Sequence, residues 1–241
     1  MKHTDKKQAP LKTSPENKTK EAVYINPLTD FGFKKVFGDK ELLIAFLNDI
    51  VMPENRITDV SYCPTEQLGD WESERKAVYD LLCTNEKGEA FLVEMQRAPQ
   101  KFFADRLLFY SSFLIRNQAP KGTWNFQLKA VYVVSLLNFI LYEEKADECR
   151  IVSKVYLTEE AARAKFSDKL NFILIELPKF RKKLNELESN TDRWLYCLKH
   201  LTELRKVPPE VEGRIFRRLF EIAQIKKLTR KEMETYHKSV L

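Results

Sequence analysis

At 241 residues, 44% hydrophobic and 32% charged, the chain is long enough to bury a core unaided. Its four dispersed cysteines (Cys63, Cys83, Cys149 and Cys197) argue against a disulfide framework and a zinc site. The net charge of +6 is uneven: residues 1–20 carry six Lys and Arg against two Asp and Glu, residues 21–177 nineteen against twenty-four, and residues 178–241 sixteen against nine. Basic ends around an acidic middle point to a polyanion held by the ends, although charge runs also serve as plain solvated faces.

Residues 1–23 are rich in Lys, Thr, Asn and Pro, the composition of a disordered leader, and hold no apolar segment of the kind a signal peptide needs. Order is expected to begin near Ile25. Thr29 or Asp30 caps a short helix that ends at Gly38. Asp39 caps a second over 41–52, where Leu42, Leu43, Phe46, Leu47 and Ile50 recur at helical spacing until Pro53. The period then shortens. Residues 57–63 read as a strand, and 76–84 and 90–96 as the arms of a hairpin whose link, Asn85 through Glu89, offers Asn and Gly for positive φ. Pro99 opens a helix to about Asn117 with Phe103, Leu107, Tyr110 and Leu114 on one face, and 119–122 is a loop.

Residues 129–141 are a continuous apolar run, as in a central strand covered on both faces. Residues 150–157 and 171–177 read as two more strands separated by a helical turn opened by Thr158. Strands with helices on either side predict an α/β layered domain. After Pro178 the pattern is helical over 192–206, 210–226 and 230–241, broken at Pro208-Pro209. The expected organisation is therefore a basic leader over 1–23, an α/β domain over 24–177 and a basic helical extension over 178–241. The longest apolar stretch, 130–142, is interrupted by Ser135 and Asn138 and too short to span a bilayer, so the chain reads as soluble and cytoplasmic, without a membrane partner.

The hairpin carries the chemistry. Asp80 and Glu94 each interrupt an apolar strand, and a buried carboxylate is costly unless a partner such as a divalent cation offsets it. Each acid alone also fits a solvent-facing position on an edge strand. Glu94 and Gln96 are two apart and share a face, with Met95 on the other. Asp80, Glu94 and the main-chain carbonyl of Met95 would supply the oxygen ligands Mg²⁺ requires, with Gln96 beside them to orient a water or meet a phosphate. On the next helix Arg106 and Tyr110 lie four apart, suited to phosphate recognition and base stacking, or equally to an ion pair with Asp105 or Glu94 and an ordinary core aromatic. No histidine triad, P-loop or nucleophile elbow appears, since His3, His200 and His237 lie in the leader and tail.

The stretch from Asp30 through Gly38 (DFGFKKVFG), the following Phe46-Leu47-Asn48, Asp80, the Glu94-x-Gln96 pair and the helix with Arg106 and Tyr110 together resemble the Rpn family. These are recombination-promoting nucleases, also labelled transposases, within the PD-(D/E)XK nuclease superfamily. The resemblance covers roughly residues 25–140 well. It implies a restriction-endonuclease-like core with a mixed central sheet flanked by helices, and Mg²⁺-dependent DNA cleavage in which Mn²⁺ substitutes. It assigns Asp80 and Glu94 to the motif acids and Gln96 to the place of the motif lysine. Glu41 is the nearest candidate for the acid that superfamily members often add from the first core helix. Tyr79 stands where the namesake proline would be. Gln96 cannot supply a lysine's charge, so Arg97 or Arg106 would have to.

Three functions follow as expectations: a DNA endonuclease linked to recombination or mobile elements, a catalytically silent DNA-binding or regulatory protein on the same scaffold, and a protein-interaction module built on the tail. A homodimer would serve double-strand cutting, which needs two active sites.

Overall fold

The computed structural model describes residues 22–52, 54–67, 77–142 and 150–240. Most of the leader (1–21), with His3, and also Pro53, Lys76 and Cys149 lie outside them. Six strands form a mixed sheet in the order β1-β4-β5-β6-β8-β7. These are β1 Val60–Tyr62, β4 Leu81–Asn85, β5 Ala90–Gln96, β6 Val131–Leu137, β7 Val152–Thr158 and β8 Lys165–Glu176. The pairs β5·β6 and β6·β8 are parallel and the others antiparallel. A separate two-stranded ribbon joins β2 Glu66–Gln67 to β3 Ala77–Val78. This is the expected α/β class, a mixed central sheet between helices.

Alternation along the strands divides the core in two. Phe91, Val93 and Met95 of β5, with Val134 and Leu136 of β6, pack under helices α1 Asp30–Phe37, α2 Lys40–Phe46, α4 Asn190–His200 and α5 Arg214–Ile222. Leu92 of β5, with Val133 and Leu137 of β6, faces Phe103, Leu107 and Leu114 of α3 Phe103–Arg116. By period two, Glu94 and Gln96 belong to the α3 face.

Several elements depart from the sequence pattern for identifiable reasons. The second helix changes to a π-turn over Leu47–Val51, and the buried Asn48 amide there bonds both the N–H and the carbonyl of Ile57, pinning the chain before β1. The first hairpin arm is broken at Tyr79 and Asp80, because Tyr79 N–H turns to the Thr65 carbonyl and β3 pairs with β2. Gly88 has the expected positive φ of 75°, whereas Asn85 keeps a negative one and instead accepts the N–H groups of Lys87 and Glu89 on its side chain. The helix expected from Pro99 starts at Phe103, after Phe102 in the left-handed region. The helical turn expected after Thr158 is a β-hairpin connection, in which the Glu159 carboxylate caps Ala161 and Ala162, and the strand expected over 171–177 is the second half of the long β8.

The segment after Pro178 shares the main core. Trp194 of α4 is fully buried with its ring 5.6 Å from Phe46 and 5.2 Å from Phe216, and its Nε1 donates to Asp49. The last helix, α6 Arg230–Val240, lies along α1 through the Lys35–Glu232 ion pair at 2.5 Å and the Tyr236 hydroxyl, which accepts from Asn26 N–H. Among the described residues, no helix is long and apolar enough to cross a membrane.

Candidate active site

The break at Tyr79 and Asp80 makes the site. β4 pairs with β5 only as far as Leu81 opposite Val93, so Glu94, Met95 and Gln96 run past its end. Asp80 fills that position from the bend, its Oδ2 accepting the Met95 N–H at 2.9 Å. An extended residue presents its N–H and C=O to the same edge, so the Met95 carbonyl also opens toward Asp80. On the other side β5 remains paired with β6, placing Ser135 beside Glu94 and Leu137 beside Gln96.

Glu94 is 2% exposed and Gln96 is buried next to it. The only cation in contact with Glu94 among the described residues is Arg106 of α3, whose Nη2 stands 3.3 Å from Oε2. Arg106 is held in turn by Gln100, 2.5 Å from Nη1, and by the Tyr110 ring, 5.4 Å from the guanidinium carbon. Tyr110 itself packs edge-on against Tyr79, whose hydroxyl donates to the Tyr110 carbonyl. Arg106 and Tyr110 therefore form an ordered support beneath Glu94, so of their two sequence readings the ion pair and the packed aromatic describe their contacts.

Burial, and secondarily the neighbouring Asp80, push the Glu94 carboxyl up to about 7, against the pull of Arg106. The Asp80 carboxyl is raised as well, chiefly by burial, while the Met95 N–H and Lys34 oppose and Asp30 adds repulsion. Two buried carboxyls whose proton affinity is raised in this way are a pair seeking positive charge. Two further observations point the same way: Arg106 Nε and Ser135 Oγ are buried without a protein partner, one on the side chain that braces Glu94 and the other one strand away. Buried polar atoms are almost always bonded, so these two are suited to meet another polar species beside Glu94.

Among the described residues, no group of three or more His, Cys, Asp and Glu converges to hold a metal ion. The oxygen donors available are the two carboxylates, the Gln96 amide oxygen and the Met95 carbonyl, a hard set that suits Mg²⁺ or Mn²⁺ when waters complete the shell. Glu41 is not brought to this pair. It is ion-paired with Arg214 and Arg218 of α5, because its place in the first turn of α2 turns it toward that helix. The acid that acts on Asp80 from the first helix is Asp30, joined to Lys34 at 2.6 Å. Arg97 is likewise turned away, its Nη1 donating to the Ser239 carbonyl at the end of α6.

Asp30, Lys34 and Ser135 were not singled out as site residues by the sequence. The signal was present: Asp30 and Lys34 are four apart in the helix of the DFGFKKVFG stretch, and Ser135 is the lone serine in VYVVSLL. Gly32 within that stretch is a packing requirement, since a Cβ there would overlap the Asn26 carbonyl oxygen.

The family model for PD-(D/E)XK nuclease family transposases matches residues 27–240, nearly the whole described chain and including the C-terminal helices. No curated protein and no solved structure matches.

Proposed function

Because the chain belongs to the PD-(D/E)XK nuclease family transposases, we propose that it is a Mg²⁺-dependent DNA endonuclease serving recombination or a mobile element, with Asp80, Glu94 and Gln96 as its reactive centre. Its mixed sheet between helices is consistent with the restriction-endonuclease-like fold of that family. The observation that carries the reading is the pair Asp80 and Glu94, brought together where β4 ends, with both carboxyls held above their usual range.

Asp80, Glu94 and the Met95 carbonyl would hold the cation, with Mn²⁺ able to replace Mg²⁺. When bound, such an ion polarises a phosphate and makes a neighbouring water more acidic. The chain's own residues do the rest. Met95 N–H fixes the orientation of Asp80. Arg106, braced by Gln100 and Tyr110, fixes Glu94 and keeps a positive charge beside it. Gln96 offers a neutral amide that can accept from a water and donate to a phosphate oxygen. Lys34 of α1 adds a positive charge that acts on Asp80. Preorganised cations of this kind stabilise charge developing on the phosphate.

Gln96 also supports a second reading, a DNA-binding protein that keeps the scaffold without cleaving. Plasmid incubated with protein and Mg²⁺ or Mn²⁺ distinguishes the two. Nicking that disappears in Asp80→Ala, with unchanged circular dichroism, supports the nuclease. Salt-dependent binding with no product supports the silent scaffold, and cleavage unchanged in Asp80→Ala rejects the assigned site.

A further inference from the structure

We propose that the groove between α1 and α5 is a phosphate track that holds the backbone of a DNA duplex, an inference that rests on the nuclease reading. The groove encloses about 620 Å³ and is lined by Lys34, Lys35, Arg218 and Lys227, with Asp39 and Glu221 as its acids. α5 is built for this: Phe216, Leu219 and Phe220 enter the core, which leaves Arg214, Arg217 and Arg218 on its outer face.

The acids of the groove do not cancel its cations equally. Asp39 is committed, since it caps α2 through the Leu42 N–H and takes both arms of the Arg218 guanidinium, at 2.8 and 2.6 Å. Lys34 and Lys227 are held differently. Their side chains are 50% and 48% exposed, and their partners Asp30 and Glu221 are 62% and 64% exposed. Ion pairs that open to water are worth at most about 1 kcal/mol, so phosphates can take these two lysines at little cost. A flexible ammonium is a point charge that meets a phosphate without reading a base. Among the described residues lining the groove there is no aromatic ring on which a base would stack, so the contact is independent of sequence. A backbone laid along the groove meets Lys34 from α1 and Lys227 from beyond α5.

The test is the salt dependence of binding to a short fluorescent duplex in EDTA, which separates binding from cleavage. Removing one lysine that meets a phosphate should lower the slope of log K against log salt by about 0.9, which is about three- to four-fold in affinity between about 50 and 200 mM. Lys227→Ala should show one such step and Lys34→Ala with Lys227→Ala two, with wild-type thermal midpoints. Lys121→Ala with Lys154→Ala, outside the groove, should keep the wild-type slope. Groove variants with a wild-type slope would overturn the track while leaving the nuclease reading intact, as would an equal drop in the control pair. Wild-type protein that shows no salt-dependent binding would overturn both.

Discussion

Two glutamates are sealed near the same end of the sheet, and their surroundings differ in a way that separates structure from function. Glu176, at the end of β8, is fully buried and satisfied: Lys179 Nζ lies 2.9 Å from one oxygen, and the N–H groups of Leu141 and Tyr142 reach the other at 2.6 and 3.2 Å. Glu94, on β5, has among the described residues a single cationic contact, at 3.3 Å, faces a second carboxylate and sits among two partnerless polar atoms. Among the described residues Glu94 therefore has less positive charge against it than Glu176, as the cation site proposed for it requires.

The largest effect expected from breaking this contrast is on activity. Glu94→Gln keeps the shape and removes the charge, so metal-dependent nicking should fall by at least about a hundredfold, measured as initial rates on supercoiled plasmid. The same change at Glu176 should act on the fold. Glu176→Gln strands a buried ammonium and should cost about 3 to 5 kcal/mol in denaturant unfolding, with much of it recovered in Glu176→Gln/Lys179→Met.

A smaller effect concerns pH. The Glu94 carboxyl rises from 4.5 to about 7 on folding, so the folded chain keeps a proton that the unfolded chain releases. Stability from this group is complete below about 4.5, is lost as pH rises toward about 7, and is level beyond it. Thermal midpoints should decline through that window in the wild type and stay flatter in Glu94→Gln, which at pH 8 should be the more stable protein by about 1 to 2 kcal/mol. The smallest change is Ser135→Ala. Its hydroxyl has no protein partner to lose, so metal-free stability should stay within about 0.5 kcal/mol of wild type by the same unfolding measurement.

Much of this was legible in the chain itself. Period-two alternation in β5 placed Glu94 and Gln96 on one face, and the apolar run of β6 announced a strand covered on both sides. Local pattern did not show where β4 would stop pairing, because that depends on Thr65 capturing the Tyr79 N–H, a contact from a distant strand pair. The family resemblance made Glu41 the nearest candidate for a helix acid, whereas α5 arrives some 170 residues later to claim that side chain through Arg214 and Arg218. For Arg106 the helix spacing left two readings open, a phosphate ligand or an ion pair with Asp105 or Glu94, and the docking of α3 against the sheet turns it onto Glu94. The basic tail read as an appendage because charge counts ignore its buried stripe of Trp194, Leu198, Phe216 and Phe220.

The claim at the centre is that Asp80 and Glu94 form a cation site whose proton is released on binding. Calorimetric titration of Mn²⁺ at pH 7, in two buffers of different ionisation enthalpy, tests it directly. Specific binding should occur with release of about half a proton per ion, the protonated share of a carboxyl that titrates at about 7, and both binding and proton release should vanish in Glu94→Gln. Absence of binding in the wild type, or binding that persists unchanged in Glu94→Gln, would contradict the account.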